Sequence, residues 1–343
     1  MSFKVQVMPS GLSYQLEEGE SVLNGALRNG INLPYGCRNA VCGACKGKLL
    51  SGKINYNDTN PEALSDEEQQ SGQILFCCAT PSSDISIEAQ TVASTSSIEI
   101  RTFPCSVHNI QHLAPDVIRL YLKLPETQRM QFFAGQYIDI VLDDDRRRSF
   151  SIANAPHDDK YIELHIRHVD HGDYTSFIFN EVNENDTLNI EGPFGDYYLR
   201  ENSTRPIILM AGGTGFAPIK GIIEHAIAEG ITRPIFLYWG ARTHKDLYLH
   251  ELAQGWGKSL NLEYRPVLSN ATAEDHWQGR QGLVHEAIIK DFPMLDIYEV
   301  YASGPPVMVR AGHEAFTKHG MSEKHFFSDS FEFANDYKKP GAA

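Results

Sequence analysis

Three cysteines fall within nine residues near the start of this chain, and no other stretch restricts it as tightly. Tyr35-Gly36-Cys37-Arg38-Asn39-Ala40-Val41-Cys42-Gly43-Ala44-Cys45 spaces its thiols as C-x4-C-x2-C, the pattern that ligates a [2Fe-2S] cluster. Such a cluster takes four thiolates. A short glycine-bearing loop can supply three of them while its N–H groups donate to the sulfurs, so the fourth must come from elsewhere. Two candidates stand side by side in Gln73-Ile74-Leu75-Phe76-Cys77-Cys78. Neighbouring residues of a strand point to opposite faces, so only one of the pair can face the cluster. Zinc suits this set poorly, because zinc ribbons carry two C-x2-C knuckles and here there is one. Disulfide frameworks belong to short secreted chains, and this one has 343 residues.

That length implies two or three domains. No apolar run approaches the ~20 residues needed to span a bilayer, and Met1-Ser2-Phe3-Lys4-Val5 does not open an export signal. A cytoplasmic protein is expected, which also suits free thiols. The formal charge of -14 argues against nucleic acid and anionic membranes as partners. It is compatible with docking to a basic protein patch, and equally with plain solubility.

From the start of the chain, Phe3, Val5 and Val7, then Leu12, Tyr14 and Leu16, alternate with polar residues around Pro9-Ser10-Gly11, which reads as a hairpin. Ser21 can cap a following helix with Val22, Leu23, Ala26 and Leu27 on one face and Gly30 at its end. Asp84-Ile85-Ser86-Ile87-Glu88 reads as a later strand. With the cysteine loop, these elements resemble the plant-type ferredoxin, a β-grasp fold, over roughly residues 1–90. The ferredoxin pattern places a Leu two residues before the fourth ligand, and Leu75 fits. The resemblance thus implies a metal set of Cys37, Cys42, Cys45 and Cys77, in a domain of residues 1–92. Thr91-Val92-Ala93-Ser94-Thr95-Ser96-Ser97 has the composition of a linker.

Residues 98–203 read as strands with almost no helix: 117–124, 136–142, 148–154, 161–167 and 187–191. An antiparallel barrel is expected. Within it, Arg148 and Phe150 share one face of a strand while Ser149 and Ser151 share the other. A guanidinium can grip phosphate bidentately, and an aromatic ring can pack on an isoalloxazine whose edge a hydroxyl reaches. Arg148-Ser149-Phe150-Ser151 resembles the R-x-[YF]-S flavin motif of the ferredoxin–NADP reductase superfamily. Ala134-Gly135-Gln136-Tyr137, Gly172-Asp173-Tyr174-Thr175 and Gly192-Pro193-Phe194-Gly195 match the same superfamily. The resemblance implies FAD, with FMN the alternative. It assigns the cofactor to Gln136, Tyr137, Arg148, Ser149, Phe150 and Ser151, with Arg167 and Thr175 at the flavin pyrophosphate.

Residues 204–335 alternate strand and helix: 206–211 then 217–228, 234–239 then 247–252, 263–268 then 284–289, and 298–302 then 307–316. That order predicts a doubly wound parallel sheet binding NAD(P). After the first strand comes Gly212-Gly213-Thr214-Gly215-Phe216-Ala217-Pro218. Its glycines let the backbone approach a pyrophosphate, and the helix N-terminus favours the anion. A glycine turn alone is weak evidence, but its place at the first strand strengthens it. No acidic residue stands where an NAD ribose is usually gripped, and Leu268-Ser269-Asn270-Ala271 offers no Arg for a 2'-phosphate. Arg242 could serve a 2'-phosphate; NADH is favoured over NADPH.

The order of a [2Fe-2S] domain, a flavin barrel and a nicotinamide domain resembles iron-sulfur flavoproteins of the CDP-6-deoxy-3,4-glucoseen reductase type. Cys77-Cys78, Gly135-Gln136-Tyr137-Ile138-Asp139, Ser151-Ile152-Ala153-Asn154-Ala155-Pro156 and Phe326-Phe327-Ser328-Asp329 carry that likeness. Reductase components of benzoate-type and phenol-type oxygenases share the layout. The resemblance implies hydride transfer to the flavin beside Ser151, then single electrons to the cluster and on to a protein partner. That partner would be a pyridoxamine-phosphate sugar dehydrase or a Rieske or di-iron oxygenase; a redox-sensing protein would not need its own hydride source. Superfamily members carry Cys-Gly-Pro-Pro near the nicotinamide, where this chain has Ser303-Gly304-Pro305-Pro306. Ser303 and Gly304 are assigned to the site on that ground.

Overall fold

The computed structural model describes residues 2–29, 31, 33–35, 40, 43, 45–57, 59–89, 98–142, 146–169, 172–257 and 261–331. Cys37, Cys42, Gly30 and the linker Thr91–Ser97 lie outside the described residues. The chain forms two compact units, Met1–Glu99 and Ile100–Ala343. The stretches read as flavin and nicotinamide domains therefore belong to one unit.

In the first unit the elements are β1 (Phe3–Met8), β2 (Ser13–Leu16), α1 (Val22–Arg28), β3 (Lys46–Ser51), β4 (Ile54–Asn55), α2 (Asp66–Gln70), β5 (Gln73–Leu75), β6 (Thr80–Pro81) and β7 (Ile85–Glu88). The sheet order is β2-β1-β7-β3-β5, with β1 and β7 parallel and the other neighbours antiparallel. This is the expected β-grasp. The first hairpin pairs Phe3 with Leu16, and it buries Val5, Val7, Tyr14 and Leu16 on one face. Leu12 falls in the turn and is exposed, since the strand begins only at Ser13. Ser21 caps α1 by accepting from the Asn24 N–H at 3.2 Å, a contact worth about 1 kcal/mol. The helix hangs on the cysteine-bearing segment through Leu23 N–H to Phe76 O, 2.8 Å, and Val22 N–H to Ala79 O, 2.9 Å.

The second unit opens with β8 (Arg101–Ala114), β9 (Val117–Lys123), β10 (Tyr137–Val141), β11 (Arg147–Ser151), β12 (Ile162–Arg167), α3 (Asp173–Asn180) and β13 (Thr187–Phe194). Six antiparallel strands run β11-β10-β13-β8-β9-β12, and an Ile152–Leu164 bridge joins the two ends into a barrel. Ile138, Ile140, Leu120, Leu122, Leu164 and Ile190 fill its interior. The long strand β8, which the sequence reading passed over, pairs with both β9 and β13 and is central to closure.

There follow β14 (Ile207–Gly212), α4 (Phe216–Ala228), β15 (Ile235–Ala241), α5 (His250–Trp256), β16 (Leu262–Leu268), β17 (Arg280–Gln281), α6 (Val284–Asp291), β18 (Glu299–Gly304), α7 (Pro306–Lys318) and β19 (Phe326–Ser330). These strands form one parallel sheet, β17-β16-β15-β14-β18-β19. β14 and β18 are buried at every position, as expected when helices cover both faces. The expected helix at 247–252 begins three residues later. Thr243 and Asp246 cap a 3₁₀ turn over His244–Asp246, and a further turn closed by His250 N–H to Leu247 O at 2.9 Å takes up the start of the segment.

Candidate functional site

Strand pairing brings the described thiols together in the first unit. β3 and β5 run antiparallel with Lys46 opposite Leu75, and Phe76 N–H donates to Cys45 O at 3.0 Å. Cys45, just before β3, and Cys77, just after β5, therefore meet at one end of the sheet. The Cys77 thiol is held well below the usual thiol range, first by hydrogen bonding with Cys45 and next with Cys78. A thiol that ionises readily among other sulfurs suits a soft metal. Cys78 Sγ also reaches Leu75 O at 3.7 Å. Tyr56 is close enough to feel these sulfurs, and its hydroxyl is pushed up to about 12, chiefly by burial.

In the second unit the last barrel strands meet the parallel sheet. β11 presents Arg148 and Phe150 to Tyr174 of α3, with the guanidinium 5.8 Å and the Phe150 ring 5.8 Å from that ring's centre. The serines point the other way, as the alternation predicts. Ser149 Oγ donates to Asp139 Oδ1 at 2.6 Å, and Ser151 Oγ donates to Asp329 Oδ2 at 2.8 Å. Asp329 sits on β19 directly beside Ser303 of β18, which sits beside Ala211 of β14. Ser151, Ser303 and Asp329 thus converge although 178 residues separate the hydrogen-bonded pair. Burial pushes the Asp329 carboxyl up to about 6, against the pull of the Ser151 hydrogen bond.

The glycine turn after β14 is shaped by close approach. Gly213 has φ +54°, a left-handed conformation that favours glycine. A Cβ on Gly215 would lie 2.1 Å from Ser303 O, so any side chain there would force β18 away. Trp239 Nε1 donates to Gly213 O at 3.0 Å, and its indole stacks on Phe216 at 3.7 Å. Thr214 lies within the turn and Pro218 in the first turn of α4. Arg167, from β12 of the barrel, lies against this same turn: a Cβ on Gly213 would stand 3.3 Å from its Nη1.

Several buried polar atoms around this junction have no hydrogen-bond partner among the described residues: Arg167 Nη2, Ser303 Oγ, Tyr197 OH, Tyr174 OH and Arg167 Nε, the last 3.3 Å from the Asp116 carboxylate in a looser ion pair. Proteins rarely leave such groups unsatisfied, and this set of donors and hydroxyls fits an anionic dinucleotide and a flavin. Other residues singled out from the sequence are committed locally. The Gln136 amide donates to Gly195 O at 3.0 Å and accepts from Phe133 N–H at 2.7 Å. Tyr137 packs on Phe194 at 5.6 Å. Thr175 Oγ1 accepts from Val169 N–H at 3.0 Å and closes the turn before α3. Gly304 takes φ +138° where β18 lies on Gly212. Asp329 and Tyr197 were missed as site residues. Phe326-Phe327-Ser328-Asp329 was visible only as a family likeness, and the partial burial of its acid needs the folded sheet.

Three protein families match successive parts of the chain. The 2Fe-2S iron-sulfur cluster binding domain covers residues 5–82, the oxidoreductase FAD-binding domain 104–198 and the oxidoreductase NAD-binding domain 209–314. The CDP-6-deoxy-L-threo-D-glycero-4-hexulose-3-dehydrase reductase of Yersinia pestis is 38% identical over 332 residues, covering 96% of this chain and 99% of that one. Reductase component 1 of a Comamonas terephthalate 1,2-dioxygenase is 36% identical, over 96% and 98% of the two chains. Among solved structures, the Amycolatopsis cytochrome P450 reductase GcoB superposes with a TM-score of 0.80 at 32% identity, covering 96% of this chain and 98% of that one. No described helix is long and apolar enough to cross a membrane.

Two predictions follow from this geometry. Cys77→Ser should abolish or strongly shift the iron-sulfur absorption while NADH still reduces flavin, and Cys78→Ser should leave a near-normal spectrum; the reverse result would exchange their roles. For Asp329, a carboxyl raised in the folded state binds more protons there than in the unfolded chain between pH ~4 and ~6. Its contribution is therefore favourable below that window and is lost as pH rises through it. Asp329→Asn keeps an acceptor for Ser151. It should raise stability at pH 7 by about 1–3 kcal/mol and flatten that part of the pH dependence, read from denaturation midpoints at pH 4 and 7.

Proposed function

We propose, because this chain belongs to the iron-sulfur flavoprotein reductases that join a [2Fe-2S] domain to FAD- and NAD-binding domains, that it delivers electrons to a sugar-dehydrase partner. The chain is an NAD(P)H-dependent oxidoreductase with a [2Fe-2S] cluster, FAD and NAD as cofactors. FAD supplies a centre that takes a hydride's two electrons together and releases them singly, which a one-electron cluster requires. The choice of acceptor rests on end-to-end similarity to the Yersinia dehydrase reductase. The Comamonas relative supports an oxygenase component as the second reading. Reconstitution decides between them: NADH-dependent reduction should require this chain plus a pyridoxamine-phosphate dehydrase carrying its sugar intermediate. Electron flow only to an oxygenase would overturn the first reading.

Within the site, Arg148 and Phe150 share the Tyr174 face of β11, which supports a flavin role for both. Cys37, Cys42, Cys45 and Cys77 are the proposed cluster ligands, two of them outside the described residues. Ser151 Oγ is proposed to meet the flavin edge, with Asp329 holding its proton and able to titrate near neutrality. Arg167 lies against Gly213; its Nε stands 3.3 Å from Asp116 Oδ2, while its Nη2 has no hydrogen-bond partner among the described residues, and this supports a role at the pyrophosphate of the nicotinamide dinucleotide, in addition to the flavin role read from the sequence. NADH is the proposed donor. Arg242 has a carboxylate for a neighbour, Asp246 at 3.9 Å, which opposes a 2'-phosphate there.

Losing charge-assisted hydrogen bonds to a phosphate removes about 1.5–3 kcal/mol. Arg167→Gln should therefore raise the KM for NADH at least tenfold while FAD stays bound; loss of FAD at unchanged KM would return Arg167 to the flavin alone. Ser303 Oγ is fully buried without a partner among the described residues, and a thiol there is more polarizable and less in need of one. Ser303→Cys should speed flavin bleaching by NADH up to about tenfold, ~1.4 kcal/mol of barrier, in stopped flow. An unchanged or slower rate would place Ser303 outside the hydride-transfer site or show that the pocket is already fitted to the hydroxyl.

A further inference from the structure

A buried chain of ionisable side chains joins the barrel to α4. Glu163 and His165 project from β12 of the barrel, Lys220 and Glu224 from α4, and Tyr248 from the segment before α5. Lys220 Nζ donates to Glu163 Oε2 at 3.0 Å, to Glu224 Oε2 at 2.9 Å and to Ala153 O at 3.2 Å. His165 Nε2 bonds Glu163 Oε1 at 2.9 Å and its Nδ1 meets Tyr248 OH at 3.0 Å. Arg119 Nη1 stands 3.8 Å from Glu163.

Burial holds the His165 imidazole below its ordinary range, against the pull of Glu163, which favours the neutral ring. In that form the proton on Nε2 faces the Glu163 carboxylate and Tyr248 O–H donates to Nδ1. Arg119 and Lys220 then balance Glu163 and Glu224. The side chains of Glu163, His165 and Lys220 are at most 6% exposed. An ion network buried so deeply adds little net stability over an apolar packing, yet breaking one partner is strongly destabilising. Its value is geometric. Ala153 lies two residues beyond Ser151; α4 begins at the glycine turn; Tyr248 meets Phe216 and Trp239 edge to face.

We propose that the Glu163–Lys220 pair, extended by His165 and Tyr248, positions the nicotinamide half of the unit on the barrel and so sets the approach of nicotinamide to flavin. These are positioning residues, and the proposal rests on the hydride-transfer reading above. The test uses the full chain with its cofactors. Glu163→Gln with Lys220→Met removes one charge of each sign, and Tyr248→Phe removes one hydroxyl while keeping the ring. Three readouts are taken: FAD per chain, the KM for NADH, and the long-wavelength charge-transfer absorption when NAD⁺ is added to the reduced protein.

The double variant should keep its FAD and a KM within about twofold, while the charge-transfer band weakens and flavin reduction slows roughly ten- to hundredfold, the scale of a small misplacement of reacting groups. Tyr248→Phe should shift both in the same direction, by about threefold. A double variant that holds FAD with the parental band and rate overturns the proposal. If the double variant loses FAD or fails to fold, Tyr248→Phe decides alone, and a parental band and rate in it overturns the proposal equally. A parental protein that NADH does not bleach at all contradicts the hydride-transfer reading instead, whatever the variants do.

Discussion

Ser151 Oγ donating to Asp329 Oδ2 ties the last residue of β11 to the edge strand of the parallel sheet, and the rest of the second unit is arranged so that this bond can form. The barrel closes through Ile152, the residue after Ser151. β19 reaches the place only by pairing along β18, and β18 lies against the glycine turn so closely that Gly215 leaves no room for a side chain. A carboxyl partly withdrawn from water is costly to ionise, and the chain keeps it where two cofactor-binding halves meet.

The first unit solves a related problem with less chain. A soft metal site needs converging sulfurs, and the β3–β5 pairing makes Cys45 and Cys77 neighbours without asking anything of the loop between them. The helix α1, bonded to Phe76 O and Ala79 O, fixes the segment that carries Cys77. Both units thus place reactive groups at strand ends, where the sheet supplies rigidity and the side chain is free of the ladder.

What could be read from the sequence was what depends on local chemistry. The cysteine spacing, the alternation of Arg148 to Ser151 and the glycines before Phe216 each express a constraint within a few residues. The strand β8 was not legible: Phe103, Cys105 and Val107 alternate inward, but Pro104 and the polar run His108-Asn109 dilute the signal, and two partner strands supply what propensity lacks. Asp329 was out of reach for a different reason. An acid is expected on the surface, and only the pairing of β18 with β19 reveals that this one is partly buried. Likewise His165 and Lys220 carry no spacing rule, since both bond to Glu163, Lys220 across 57 residues through the packing of α4 on the barrel.

The central claim is that one chain holds both a flavin and a cluster, so that a two-electron donor can serve one-electron chemistry. Cofactor analysis of the purified chain addresses it most directly: about one FAD, with roughly two irons and two acid-labile sulfides per chain, is the predicted content. Absence of the flavin, or of the iron and sulfide, would contradict the account.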